Sequence, residues 1–213
     1  MIDSKADIKV LKAEDLRDVL GIEIPIVMYV GNLESYQGID LLLEGFSYLI
    51  HESACRASLV IIGGDTRGID KYSVMASKLN ISHLVYLIGP RPLETLSSYL
   101  LQADILVSPR LKGVNTPMKL FSYLKSGKPV LATNLLTHTQ VVDDLTAFLV
   151  NPNPKALAGG LMSLLTNREL RDRLGMAGKH LVETCYSHDA FIQEFNSAMS
   201  WLESELQRSR GQK

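Results

Sequence analysis

The 213-residue chain carries 22 Lys and Arg against 23 Asp and Glu, a formal net charge of −1, and 46% of its residues are hydrophobic. It is long enough to bury a full core, and a charged content of 21% is too moderate for a disordered chain. Near-neutrality argues against a dedicated nucleic-acid binder, which needs a basic excess for its phosphate contacts, and no apolar run approaches the ~20 residues that span a bilayer. The first ten residues mix charges through the stretch where a signal peptide would be apolar, so a cytoplasmic protein is expected, with Cys55 and Cys185 as reduced thiols.

A charged, moderately amphipathic segment (Leu11, Leu16, Val19, Leu20) precedes the first strand. Short β-rich runs then recur at Ile26–Val30, Leu59–Ile62, Leu84–Ile88, Ile105–Val107, Pro129–Thr133 and Ala147–Val150. They are continuously apolar, not alternating, which is the pattern of strands covered on both faces. Helical stripes lie between them: Ile39, Leu42, Leu43, Phe46 and Ile50; then Ile69, Tyr72, Met75, Ala76 and Leu79; then Leu93, Leu96, Leu100 and Ala103, with Pro92 at the helix start. Strand and helix alternating in this way predict an α/β fold, a doubly wound parallel sheet of about six strands. Past Asn151-Pro-Asn-Pro154 the pattern turns helical. Leu157, Leu161, Leu164 and Leu165 form one stripe, and Leu170 with Leu174 begins a short helix. A last helix over Asp189–Gln207 carries Phe191, Phe195, Ala198, Met199, Leu202 and Leu206 on one face. Trp201 sits beside that face, whose surface apolar residues are expected to cover a neighbour, and the tail at 208–213 is expected to fray. The chain reads as a single domain, residues 1–213, with a core over 22–152 and a helical C-terminal extension over 153–208.

Ligands of open parallel sheets lie beyond the carboxyl ends of the strands, so the turns there are the candidate sites. Four are informative: Gly31-Asn-Leu-Glu34, Gly63-Gly-Asp-Thr66, Gly89-Pro-Arg91, and the stretch from Ser108-Pro-Arg110 to Asn115-Thr-Pro117. Their glycines either let backbone amides approach a ligand or serve as ordinary turn residues. Neither G-x-G-x-x-G nor G-x-x-x-x-G-K-[ST] occurs, and no Cys/His spacing fits a metal, so no metal and no resident cofactor are expected.

Charge is distributed unevenly. From Ile105 to Val142 the chain has 38 residues without one Asp or Glu, yet Arg110, Lys112, Lys119, Lys125 and Lys128 all fall there. Such a window suits an anion. Thr116 is expected to cap, and Pro117 to open, a helix over Pro117–Lys125, whose N-terminal amides and dipole attract anions by about 0.3–1 kcal/mol at a surface. Lys119 sits in the first turn, where a cation is unfavourable unless an anion is present. Arg110 and Lys112 either converge on the same point or are solvated surface cations. Lys125 and Lys128 suit the far end of the helix. His138, after the fifth strand, reads either as a donor to a phosphate or ribose oxygen or as a plain loop histidine.

These residues resemble the C-terminal, nucleotide-sugar-binding half of the glycosyltransferase family 4 (glycosyl transferases group 1) proteins, whose fold, GT-B, pairs two Rossmann-like domains. The likeness rests on the order of Val30-Gly-Asn-Leu, Gly38-Ile-Asp, Leu59-Val-Ile-Ile-Gly63, Leu87-Ile-Gly89, Ala103-Asp-Ile-Leu-Val-Ser-Pro109, Pro117-Met-Lys-Leu-Phe-Ser-Tyr-Leu-Lys-Ser-Gly127-Lys-Pro-Val and Leu149-Val-Asn-Pro152. It implies transfer of a sugar from a nucleoside-diphosphate donor with retention and without a tightly bound metal. The acceptor would be a glycan, lipid or polysaccharide precursor, held by an N-terminal domain that this chain lacks. That missing domain would also carry any peripheral membrane association. The isolated chain is therefore expected to be inactive.

The resemblance places Gly89 to Arg91 at the base, Asn115 to Lys119 at the diphosphate and sugar, and the helix from Leu120 at the ribose. With the turn glycines, the expected donor-binding set is Gly31, Asn32, Gly64, Arg91, Arg110, Lys112, Asn115, Thr116, Lys119, Ser122 and His138, with no catalytic residue assigned. The sequence departs from the family where Asn32 and Gln37 replace an Arg and a Lys that grip the diphosphate. Val114 and Ser122 replace two glutamates, and Gln140 a third. Either Arg110, Lys112 and Lys119 take over these roles, or the chain is a non-catalytic binding or scaffolding module; a nucleotide-sugar epimerase of the same architecture is a weaker alternative.

Overall fold

The computed structural model describes residues 13–211; Leu11, the side chain of Leu206 and the end of the tail at 212–213 lie outside the described residues. Six strands form one parallel sheet in the order β3-β2-β1-β4-β5-β6, and all six lie at or within a residue or two of the expected runs. They are β1 (Ile26–Val30), β2 (Ser58–Ile62), β3 (Val85–Gly89), β4 (Ile105–Ser108), β5 (Val130–Thr133) and β6 (Phe148–Val150). The central strand β1 pairs with β2 along its whole length, from Ile26↔Ser58 to Val30↔Ile62, but with β4 only at Val27↔Ile105 and Met28↔Leu106.

Alternate residues of each strand enter two separate cores. Val27, Tyr29, Leu59, Ile61, Ile105 and Val107 meet α2 (Ile39–Glu52), α3 (Thr66–Lys78) and α7 (Pro154–Thr166). Ile26, Met28, Val60, Ile62, Leu106 and Ala132 meet α1 (Leu16–Leu20), α4 (Leu96–Leu100), α5 (Met118–Lys125) and α8 (Arg168–Cys185). Burial on both faces is the reason the strands read as unbroken apolar runs. The helices past Pro154 share these cores: Leu157, Leu161, Leu164 and Leu174 are buried beside β5 and β6 residues.

Helix starts follow side-chain chemistry. Asp65, Asn153 and Asn167 accept from the amides of Gly68, Ala156 and Leu170, at 2.8, 2.9 and 2.9 Å. Pro92 opens a short 3-10 turn (Leu93–Thr95), not α4 itself, and Leu93 is 78% exposed, so the third stripe begins at Leu96. At the amino end, Arg17 bridges Asp104 (2.8 Å) and the carbonyl of Ile24 (3.1 Å), while Gln102 accepts from the amide of Leu16 at 2.7 Å.

Two helices differ from expectation. The short helix expected at Leu170 is the 18-residue α8. Its glycines hid its length, since glycine is a poor helix former. Here they permit contact: a Cβ at Gly175 would collide with the carbonyl oxygen of Gly127, and one at Gly178 would lie 2.7 Å from a Leu124 methyl. The last helix, α9 (His188–Gly211), continues through 208–211. Phe191, Phe195, Met199, Trp201 and Leu202 on it are exposed, with the rings of Phe191 and Phe195 stacked at 6.3 Å.

Gly175→Ala is expected to destabilise the chain by about 1–3 kcal/mol, because backbone, not a side chain, would have to yield. Gly159→Ala, in α7 with nothing within 4 Å of the added methyl, is expected to stabilise by up to about 1 kcal/mol. Urea unfolding midpoints of the two variants check the contrast.

Candidate functional site

The chain leaves β1 for α2 on one face of the sheet and leaves β4 for α5 on the other. This is the topological switch, where a crevice opens beyond the strand ends. Past Met28 and Leu106 the two strands separate, and the backbone of Val30 loses its neighbour on that side. The buried hydroxyl of Tyr123, from α5, accepts from the Val30 amide at 2.7 Å and lies 3.2 Å from the Val30 carbonyl. Burial pushes the Tyr123 hydroxyl well above its ordinary range, so it stays neutral.

Lys119, in the first turn of α5, turns its stem into this crevice. Its Nζ donates to Tyr29 Oη at 2.9 Å and to Gln37 Oε1 at 2.8 Å, and sits 4.0 Å from the centre of the Tyr29 ring. Tyr29 Oη donates in turn to the carbonyl of Asn32 at 2.6 Å. Gly31, with φ +152°, makes room: a Cβ there would lie 2.9 Å from Tyr29 Oη and 3.1 Å from Lys119 Nζ. No ion pair forms at Lys119 among the described residues. Burial, then the positive charge of Arg110, lowers its pKa from 10.5 to about 7.

The β4–α5 loop supplies the rim. Arg110 Nε donates to the carbonyl of Lys112 at 2.7 Å, and its guanidinium lies 5.3 Å from the centre of the Tyr36 ring. Lys112 and Asn115 are exposed. Thr116 is not the cap that was expected: its hydroxyl lies 3.5 Å from Gln140 Oε1, and α5 begins at Met118 with Pro117 as an N-cap that makes no side-chain hydrogen bond. Proline has no side-chain acceptor to offer, so among the described residues no side chain caps the helix's N-terminal amides.

The other expected residues divide. Gly64 (φ +81°) leaves space for Leu33, against which an added Cβ would press. Ser122 is exposed on α5, one turn past Met118. Arg91 stays at the β3 edge of the sheet, two strands from the crevice, where it bonds the Ile88 carbonyl at 2.6 Å and Glu14 at 3.1 Å. His138 corrects the reading of a loop histidine or free donor. It lies in α6 (Leu136–Thr139), fully buried, with Nδ1 2.8 Å from the Thr133 carbonyl and Nε2 2.8 Å from Ser108 Oγ. Both ring nitrogens are used, and burial lowers its pKa from 6.5 to about 4. The ring is therefore neutral, with Nδ1 donating and Nε2 accepting. Its partner Thr133 bonds the Arg110 carbonyl at 2.6 Å, so the histidine props the loop from behind.

Tyr29, Gln37 and Tyr123 were not among the expected residues. A tyrosine within the aliphatic run of β1, and the place of Gln37 where the family carries a lysine, were the available signals. Among the described residues, no group of three or more His, Cys, Asp or Glu could hold a metal ion. A cavity of about 540 Å³ near Cys55, Arg56 and His83 lies at the amino ends of β2 and β3, away from this crevice.

Sheet order, covered faces and a crevice at the β1/β4 switch define a Rossmann-like α/β protein. The chain belongs to the glycosyl transferases group 1 family, whose pattern matches residues 13–181. It is 28% identical over 172 residues to a D-inositol 3-phosphate glycosyltransferase of Corynebacterium diphtheriae, a match covering 77% of this chain and 40% of that protein. Its fold resembles Anabaena Alr3699/HepE, solved in complex with UDP-glucose (TM-score 0.77, 14% identity, 91% of this chain and 55% of that one). It also resembles the C-terminal domain of LpcC, a group 1 protein of Francisella tularensis (TM-score 0.67, 20% identity), covering 84% of this chain and 96% of that domain. The chain spans about two-fifths of the length of the curated relatives it matches.

The neutral burial of His138 makes stability depend on pH. The unfolded chain takes up a proton near pH 6.5 and the folded chain only near pH 4. Stability is therefore lost as pH falls through that window, by up to about 3 kcal/mol. Urea unfolding between pH 7 and pH 4.5 is expected to show this slope, and His138→Gln to flatten it.

Proposed function

We propose that the chain is the donor-binding domain of a retaining, metal-independent glycosyltransferase that takes a nucleoside-diphosphate sugar. The observation that carries this reading is Lys119: a cation held at the mouth of the switch crevice by neutral groups, beside the uncapped start of α5. A diphosphate placed there meets the Lys119 ammonium, the amides opening α5 and, from the rim, Arg110 and Lys112. Asn115 and Thr116 line the approach. Gly31, Asn32 and Gly64 form the facing turns, and Ser122 lies along α5 on the side assigned to the ribose. Arg91 stands at the base end, tethered to Glu14. His138 acts through the Arg110 loop instead of touching the donor. As the sugar–phosphate bond breaks, charge growing on the nucleoside diphosphate is stabilised by these fixed donors, the office a metal performs elsewhere. The acceptor would come from a second domain, so this chain binds donor without turning it over.

A second reading, a binding module that no longer catalyses, is favoured by one observation. Val114 and Ser122, where the resemblance puts carboxylates, are both exposed and uncharged. The two readings share the donor site and part at turnover.

Titration calorimetry with UDP, GDP and ADP is expected to show binding of at least one. Lys119→Met should weaken it by about 10- to 100-fold, the cost of a charge-assisted hydrogen bond. The same change should raise neutral-pH stability by up to about 1–3 kcal/mol, since it removes a half-buried cation that has no counter-ion among the described residues. No binding of any of the three overturns the proposal, and turnover by the 213-residue chain alone overturns the division of labour between domains.

A further inference from the structure

Among the described residues Lys119 is solvated by neutral oxygens alone, and every neighbouring element keeps it so. From β1, Tyr29 Oη gives its proton to the Asn32 carbonyl and so presents a lone pair to the amine. From the turn after β1, the buried side chain of Gln37 presents its amide oxygen. Tyr36, on the same turn, lies beside Arg110 and accepts from Asn32. From the β4–α5 loop, Arg110 adds a second positive charge. From α6, His138 is neutral and enclosed, and on α5 itself the Tyr123 hydroxyl is occupied at Val30. Two carboxylates flank Gln37 in sequence, but Glu34 is exposed, and Asp40 is engaged by Lys71 (3.2 Å) and the Tyr72 hydroxyl (2.9 Å). The site thus holds an amine without a countercharge, and burial leaves it only partly protonated at neutral pH.

We infer that a diphosphate entering this site is accompanied by a proton, which Lys119 takes from solvent as the anion binds, and that Gln37 is the positioning residue that holds the amine in place without charging it. This rests on the donor-binding reading above. The step is a protonation only: one proton passes from water or buffer to Nζ, and no bond to phosphorus is made or broken. The coupling has a definite sign. Above neutrality the free site is mostly unprotonated and the occupied site protonated, so binding absorbs close to one proton and weakens by up to about tenfold per pH unit. At pH 6 the free amine is already charged and uptake falls towards zero.

UDP-glucose is the suitable first probe, because its doubly esterified diphosphate has no proton to exchange near neutrality; GDP-mannose and ADP-glucose serve in the same way. Titration calorimetry of the 213-residue chain at pH 8, in buffers of different ionisation enthalpy, reads the proton count directly. The expected result is uptake approaching one proton per site at pH 8 and little at pH 6. Gln37→Glu places a countercharge on Lys119, keeps it protonated in the free protein, and is expected to abolish the uptake at pH 8. A residue with a merely structural role would weaken binding without changing the proton count. Binding whose heat at pH 8 is independent of the buffer overturns this inference and leaves the donor reading standing. Uptake that persists undiminished in Lys119→Met also overturns it, by placing the proton elsewhere. Failure of all three nucleotide sugars to bind at any pH overturns the donor reading and this inference together.

Discussion

One hydroxyl lets the sheet open where it must. A parallel sheet has no free backbone groups in its middle, and a buried amide or carbonyl left unpaired is costly. Parting β1 from β4 after Met28 would create that cost at Val30. Tyr123 meets it by reaching from α5 to both groups of Val30. The crevice, the start of α5 and the lysine on its first turn are thereby fastened to the central strand by one side chain. The strands can diverge at the switch because α5 closes the ladder that β4 leaves incomplete.

From that fastening follows the electrostatics. The acid-free window read as a collection of equivalent cations, but the fold sorts them. Lys125 is carried to the last turn of α5, and Lys112 stays in solvent. Arg110 is braced by the Lys112 carbonyl and by its own carbonyl's bond to Thr133. Lys119 alone is drawn among buried groups. A charge in such a place opposes folding, and nothing in the surrounding packing requires an ammonium there. The chain tolerates it because the same sheet is stabilised by two full cores.

The sheet was legible because its strands are buried on both sides and therefore apolar without interruption. The stripes of α2 and α3 were legible by their period. The length of α8 was not, because Gly175 and Gly178 serve close approach to Gly127 and Leu124, a tertiary reason invisible to local propensity. The candidate site was half legible. Lys119 and Arg110 announced themselves by charge, and the family likeness located the loop. Gln37 stood out only as a departure from a family lysine and Tyr29 not at all, both being neutral residues whose importance depends on a lysine more than eighty positions away in sequence. His138 was legible as a residue of the site and illegible in role. Position after a strand does not reveal whether a ring faces solvent or the back of a loop.

The walls of the crevice rest on glycine. A Cβ at Gly63 would strike the carbonyl of Gly31, and one at Gly38 would strike the carbonyl of Pro109, so each turn is seated backbone-to-backbone against its neighbour. A side chain at either glycine would have to push backbone aside, so the spacing between these turns depends on the absence of a Cβ. Variation at the opening therefore falls to side chains at the rim, at positions such as Asn32, Tyr36 and Asn115, rather than to the turns themselves.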